Sequence, residues 1–210
     1  MKRQLLVNGE RAPRFRPDEP TIVQQPEYQP QGLMGEILRL PEQYHHFFTN
    51  IVIPPDDGWA VAEALIDSTL LAGGDGSVKN KLGTHAYKLQ PPEGDCIEGS
   101  AQSAGTLDGM ASLRAEHHGE IAILLILISI CKFDDIKTAP TLQIHIDNME
   151  VVERDGTLME KQDKLRDYNL WAVSKALRDQ LPITASNKWV KAHQDDKAPA
   201  HDLAPQHKST

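Results

Sequence analysis

Three acidic residues stand where a rigid element begins or ends. Asp75 lies in Gly73-Gly74-Asp75-Gly76-Ser77 behind a short apolar run, Glu116 near the start of a long apolar segment, and Asp147 at the close of the alternating run Leu142-Gln143-Ile144-His145-Ile146. Side chains in such places project from a fixed backbone and can share one space. Three carboxylates brought to one point repel each other strongly in a low-dielectric cleft, so they stay ionised together only around divalent cations. Mg²⁺, with its preference for oxygen ligands, suits such a set.

Taken singly, each of the three has a plainer reading. Asp75-Gly76 is also a strong hairpin-turn signal. Glu116, in Arg114-Ala115-Glu116, also suits the positive end of a helix macrodipole. Asp147, before Asn148, also suits capping of a helix that starts near residue 149. No single motif decides between these readings.

The elements that must hold these residues are legible from patterning. Short strands are predicted over 69–72, 84–89 and 97–101, the first ending in the Gly-rich bend, and three strands in a row suggest an antiparallel meander. Ser112 suits the N-cap of a helix running through Glu116 to about residue 132. Its segment 121–131 (IAILLILISIC) is too short for a membrane span, which needs roughly 18 apolar residues, and reads as a buried helix. A strand over 142–147, a helix over 164–180 carrying Leu165, Tyr168, Leu170, Trp171, Val173, Ala176 and Leu177, and a last strand over 184–190 complete the order β-β-β-α-β-α-β. That order predicts an α/β (mixed α+β) fold, a mixed sheet with helices packed against it.

Length and composition fit one ordinary domain with tails: 210 residues, 40% apolar and 25% charged. Lys and Arg number 22 against 30 Asp and Glu, a net charge of -8, which excludes phosphate attraction by the whole surface and leaves only local nucleic-acid contact. Two cysteines, Cys96 and Cys131, exclude a disulfide framework. The first forty residues lack the apolar region of a secretory signal, so an intracellular protein with no membrane partner is expected. A Pro-rich leader over 1–55 with one short helical pattern, a compact domain over 56–196 and a polar tail over 197–210 are the expected divisions. Other enzyme classes fit poorly. His117 and His118 are adjacent, unlike the i, i+4 pair of a zinc helix, the Gly-rich run has no phosphate-loop lysine, and no Gly-x-Ser-x-Gly elbow occurs.

The order of the motifs carries more than any one of them. Asp75-Gly76-Ser77, Ser112-Leu113-Arg114-Ala115-Glu116, Ile146-Asp147-Asn148 and Trp189-Val190-Lys191-Ala192-His193-Gln194-Asp195-Asp196 together resemble the ribonuclease H family. More narrowly, they are similar to the RNase H-like domains attached to reverse transcriptases of retrotransposons. The resemblance covers residues 56–196, and the lead-in Pro54-Pro55-Asp56-Asp57-Gly58 shares it. It implies a five-stranded mixed sheet, its first three strands antiparallel, flanked by helices. Asp75, Glu116 and Asp147 would be catalytic metal ligands for two Mg²⁺ ions about 3.5–4 Å apart, with Mn²⁺ as a substitute. The implied reaction is hydrolysis of the RNA strand of an RNA/DNA hybrid, told from DNA by its 2′-OH groups, and the implied partner is a reverse transcriptase polymerase domain. His193 matches the family's mobile-loop histidine, suited to proton transfer or product release. Lys188 and Lys191, and with them Lys79 and Lys81, flank the expected cleft and could meet phosphates, while taken on their own they read as solvated surface charges.

The sequence also departs from the family pattern. The fourth carboxylate normally sits in an Ala-Asp-x-Leu-Ala segment, and here Ala200-His201-Asp202-Leu203-Ala204 comes one residue short, which makes Asp202 the candidate fourth catalytic and metal residue. Asp195 and Asp196 are nearby substitutes, and Ala192 replaces the usual Gly before His193. Asp202 to Gln206 also resembles the segment that precedes the fourth ligand in retrotransposon relatives, in which case the chain stops before that ligand. Two expectations follow: a metal-dependent RNase H-type endonuclease, or an inactive, truncated relic acting as a nucleic-acid-binding or interaction module. The sequence indicates no oligomeric state.

Overall fold

The structure, a computed structural model, describes residues 6–7, 10–11, 31–105, 110–137, 141–153 and 167–191. A short ribbon of β1 (Leu6–Val7) and β2 (Glu10–Arg11) comes first. Then follow α1 (Gly32–Leu38), a 3₁₀ helix (Glu42–Phe48), α2 (Trp59–Ile66), β3 (Leu71–Lys79), β4 (Leu82–Gln90) and β5 (Ile97–Gln102). The rest comprises α3 (Ser112–Phe133), β6 (Leu142–Ile146), α4 (Met149–Glu153), α5 (Tyr168–Arg178) and β7 (Ala185–Trp189).

Five strands form one mixed sheet in the order β5-β4-β3-β6-β7. β3, β4 and β5 pair antiparallel, while β6 pairs parallel to β3 and β7 parallel to β6. Strand directions and flanking helices are those the resemblance implied. The first strand is longer than expected. It does not stop before the Gly-rich run but continues through it to Lys79, with Asp75 opposite Ala86 and Gly76 opposite His85. The hairpin reading of Asp75-Gly76 is thereby corrected. The turn is at Asn80-Lys81, both at positive φ (52° and 65°), the backbone that a two-residue hairpin needs to match strand twist.

The apolar segment behind Glu116 forms the middle of α3, where every residue from Ala115 to Cys131 is buried. A helix that is apolar on all sides needs neighbours on all sides. β3 and β4 cover one, α5 another and α1 a third. Leu33, Ile37, Leu40, Phe47 and Phe48 therefore belong to the same core cluster as the helix and the sheet, so packing shows no break at the expected leader boundary of residue 55. Pro54-Pro55-Asp56-Asp57-Gly58 joins the two parts by capping. Asp57 Oδ1 accepts the Leu33 N–H at 3.0 Å, at the start of α1, and the Asp56 carboxylate accepts the Gly58 and Ala60 N–H groups, each at 3.0 Å, at the start of α2.

Two helix starts differ from expectation. Ala111, in extended backbone, takes the N-cap place that Ser112 was expected to hold, and its side chain makes no capping bond. α5 begins at Tyr168, and residues 164–166 of its expected first turn lie outside the described residues, as does the tail over 197–210. Among the described residues no helix is long and apolar enough to cross a membrane.

A buried polar network ties α3 to α5 and β7. Arg178 bonds Glu120 Oε1 at 2.5 Å and Asn187 Oδ1 at 2.8 Å, and it donates a further hydrogen bond to the Ala185 carbonyl. Asn187 Nδ2 donates to the same Glu120 oxygen at 3.1 Å, and His117 Nδ1 lies 3.2 Å from the other. Burial alone would raise the Glu120 carboxyl, but the His117 contact and the Arg178 charge outweigh it and hold it down to about 2.

Candidate metal centre

Register brings two of the three carboxylates together. The β3–β6 ladder ends with Gly74 opposite Ile146, so Asp75 and Asp147 each stand one residue past the last shared rung of neighbouring parallel strands. Glu116 comes from the first part of α3, held at the level of Gly76. A β-carbon on Gly76 would overlap the Ala115–Glu116 backbone, and one on Gly119 would press on the Ala86 carbonyl at 3.2 Å. The glycines are thus the means by which helix and strand approach. One ligand oxygen from each of Asp75, Glu116 and Asp147 lies within 4.8 Å of the others.

The three environments differ. Asp75 is exposed, Asp147 half-buried and Glu116 buried. Burial, then the charges of Asp147 and Asp75, push the Glu116 carboxyl up to about 9, against a smaller opposing effect of the Gly76 N–H. Glu116 Oε2 is buried and, among the described residues, has no hydrogen-bond partner. A buried, unsatisfied carboxylate oxygen beside two more carboxylates calls for a proton or a cation. The donor set is all oxygen and opens to solvent through Asp75, so the residues fit a hard divalent cation.

The plainer readings of Glu116 and Asp147 are resolved by their surroundings. Glu116 lies beyond the first turn of α3, which carries no acidic residue, and is buried in the cluster rather than solvated at a helix end. Asn148, not Asp147, caps α4: its Oδ1 accepts the Glu150 and Val151 N–H groups at 3.0 and 3.4 Å. The Asp147 carboxylate is left to face the cluster.

Of the other candidates, His193, Asp195, Asp196 and Asp202 lie outside the described residues. Lys79 and Lys81 are exposed at the β3–β4 hairpin, and Lys188 and Lys191 are exposed at the end of β7 and just after it. His117 and His118 diverge, as adjacent helical positions must. The His117 ring meets Trp171 edge-on at 3.8 Å, while His118 stacks on Phe47 at 5.3 Å. Among the described residues, Asp75, Glu116 and Asp147 are the one group of three metal-ligating side chains found together.

Several contributors around the site have no distinguishing sequence signal. Arg114, in the same motif as Glu116, pairs with Asp167 at 2.9 Å and so ties the first turn of α3 to the start of α5. His118 Nδ1 donates to the Arg114 carbonyl at 2.7 Å, and His85 Nδ1 lies 3.2 Å from Ser103 Oγ. Burial lowers both His85 and His118 to about 4, so both are neutral at physiological pH. Trp189 Nε1 donates to the Asp147 carbonyl at 3.1 Å.

No family model matches the chain, and no curated protein matches it. Among solved structures, the chain is similar to an RNase H1 from the halophilic archaeon Halobacterium salinarum NRC-1, at 16% identity and a TM-score of 0.42, over 61% of this chain and 90% of that one. It is also similar to the N-terminal RNase H domain of a Mycobacterium tuberculosis protein, at 17% identity and a TM-score of 0.40, over 61% of this chain and 86% of that one. A third similar structure is LC11-RNase H1, crystallised in complex with an RNA/DNA hybrid, at 12% identity and a TM-score of 0.45, over 61% of this chain and 90% of that one.

Proposed function

We propose that this chain is a ribonuclease H-type endonuclease that hydrolyses the RNA strand of RNA/DNA hybrids, and that it is of the kind attached to retrotransposon reverse transcriptases. The observation that carries the reading is the meeting of Asp75, Glu116 and Asp147 within 4.8 Å, in the order Asp, Glu, Asp from β3, α3 and the end of β6. The motif order in the sequence supports the family, and the narrower retrotransposon assignment rests on that resemblance alone.

On this reading Asp75, Glu116 and Asp147 would hold Mg²⁺, or Mn²⁺ in its place. When bound, two such ions supply a water nucleophile at neutral pH and stabilise the charge on the leaving 3′ oxygen. The rest falls to the chain's own side chains. Glu116, raised to about 9 first by burial and then by the charges of Asp147 and Asp75, keeps its proton near neutrality and would give it up on becoming a ligand. Asp75, the exposed member, gives a nucleic-acid strand access to the cluster from solvent. Lys188, opposite His145 in the β6–β7 ladder, and Lys191, just after β7, are both exposed and are the cations assigned to backbone phosphates, a local contact on an acidic protein. His193 is assigned to proton transfer or product release, and Asp202 is the proposed fourth ligand. The catalytic unit proposed over 56–196 also needs the apolar side chains of 32–48, which pack on α3.

The test is cleavage of a hybrid labelled on its RNA strand, in Mg²⁺ and in Mn²⁺, by the parent and by Asp75→Asn and Glu116→Gln. RNA cutting that requires the metal and disappears in both variants is expected, with 5′ phosphates on the products. A folded parent that leaves the hybrid intact would make the inactive-relic reading the better one, and hybrid binding would then be the property to measure.

A further inference from the structure

We infer that Trp189 is a positioning residue for Asp147, holding the backbone of that carboxylate where strand pairing no longer reaches it. β6 ends at Ile146, whose ladder partner is Trp189, and the Val190 N–H donates to the Ile146 carbonyl at 3.0 Å. Asp147 comes one residue later, in a bend. Its carbonyl accepts the Trp189 Nε1–H at 3.1 Å, so a side chain extends the ladder by one rung beyond its backbone end. On the other side Asn148 Oδ1 takes the first free N–H groups of α4, which fixes where the chain turns away from the strand. Asp147 is pinned between these two side-chain contacts.

Burial does not account for a tryptophan in this place, since Trp189 is 42% exposed. Its indole N–H is taken up by the Asp147 carbonyl, in an exposed hydrogen bond, while much of the ring faces solvent. A side chain so placed sets the direction from which the Asp147 carboxylate enters the cluster, and with it the cluster's affinity for a cation. That consequence rests on the metal-centre reading; the hold on Asp147 does not.

Trp189→Phe keeps an aromatic ring and removes the donor. Trp59→Phe, which removes an exposed tryptophan from α2, is the control. With circular dichroism establishing that both fold, Mn²⁺ titration by calorimetry is expected to show about fivefold weaker binding for Trp189→Phe, about the worth of one hydrogen bond, and no change for Trp59→Phe. In the metal-free parent, nuclear magnetic resonance should find the Trp189 indole N–H exchanging with deuterium more slowly than that of Trp59. This second measurement needs no folded variant. Parent-like Mn²⁺ affinity in Trp189→Phe, or an indole no better protected than Trp59, overturns the inference. A parent that binds no Mn²⁺ but protects the Trp189 indole upholds the hold on Asp147 and overturns the metal reading alone.

Discussion

A β-carbon on Gly76 would stand 2.2 Å from the backbone nitrogen of Glu116, so β3 and α3 meet backbone to backbone at the carboxylate cluster. Neither chain can give way as a flexible side chain would. Gly76→Ala is therefore expected to push the first part of α3 off the strand and separate Glu116 from Asp75. The stability cost should be about 1–3 kcal/mol, the usual range for overpacking, with a larger proportional loss of Mn²⁺ affinity. Urea unfolding and calorimetric titration of the same protein check both halves, and parent-like behaviour in both would mean that the contact relaxes without consequence.

A chain that begins at Asp56 should fail to fold. It lacks Leu33, Ile37, Phe47 and Phe48, all buried in the core around α3. At about 1.5–3 kcal/mol per fully buried side chain, their loss is comparable to the whole stability of a typical domain, about 5–15 kcal/mol. A chain that begins at Gln31 retains them and should fold. Circular dichroism and thermal melts of the two truncations decide the matter.

Arg178→Met leaves the Glu120 carboxylate buried without its cation, and should cost about 3–5 kcal/mol. Adding Glu120→Gln to that variant should recover a good part of the loss, since the unpaired charge is then gone. Glu120 also sets an acid limit: held at about 2 in the fold against an ordinary 4.5, its contribution is complete above pH 4.5 and is lost as pH falls toward 2. A double variant no more stable than Arg178→Met would show that the network's value is geometric rather than electrostatic.

Stability should already decline at milder acidity because of two histidines. His85 and His118 sit at about 4 in the fold against an ordinary 6.5, so the unfolded chain takes up protons first as pH falls. Their neutral, folded forms contribute fully above pH 6.5, and that contribution drains away between pH 6.5 and 4, at up to about 1.4 kcal/mol per pH unit for each ring. Urea unfolding at pH 7 and pH 5 should differ by about 2–4 kcal/mol. Equal midpoints would place both rings in contact with solvent.

Cation binding should release a proton. Glu116, raised to about 9 by burial and by its two acidic neighbours, is protonated at pH 7 and must ionise to become a ligand. Calorimetry of Mn²⁺ binding in buffers of different ionisation enthalpy should count about one proton released at pH 7. The count should fall to near zero in Glu116→Gln.

Much of this protein was legible from residue order alone. Periodicity located the strands and the long helix, because a half-buried strand and a wholly buried helix leave different apolar patterns. Asp75, Glu116 and Asp147 were visible as carboxylates at element ends, each with a plainer reading, and it was the resemblance carried by the order of the motifs that singled them out as a set. What tertiary structure decided were matters of backbone contact. Asp75-Gly76 has the composition of a turn, yet it lies mid-strand because α3 needs room there, and no local propensity encodes the approach of a helix distant in sequence. Asn148 rather than Asp147 caps α4, a choice between adjacent residues that only geometry makes. The segment 32–48 reads as part of a leader, yet it closes the core because α3 is apolar on every side, and which segment covers its last face depends on where the chain returns. The Glu120–Arg178 pair and the Trp189–Asp147 bond each join residues more than forty positions apart. Such contacts exist only once the sheet order has brought α3, α5, β6 and β7 together.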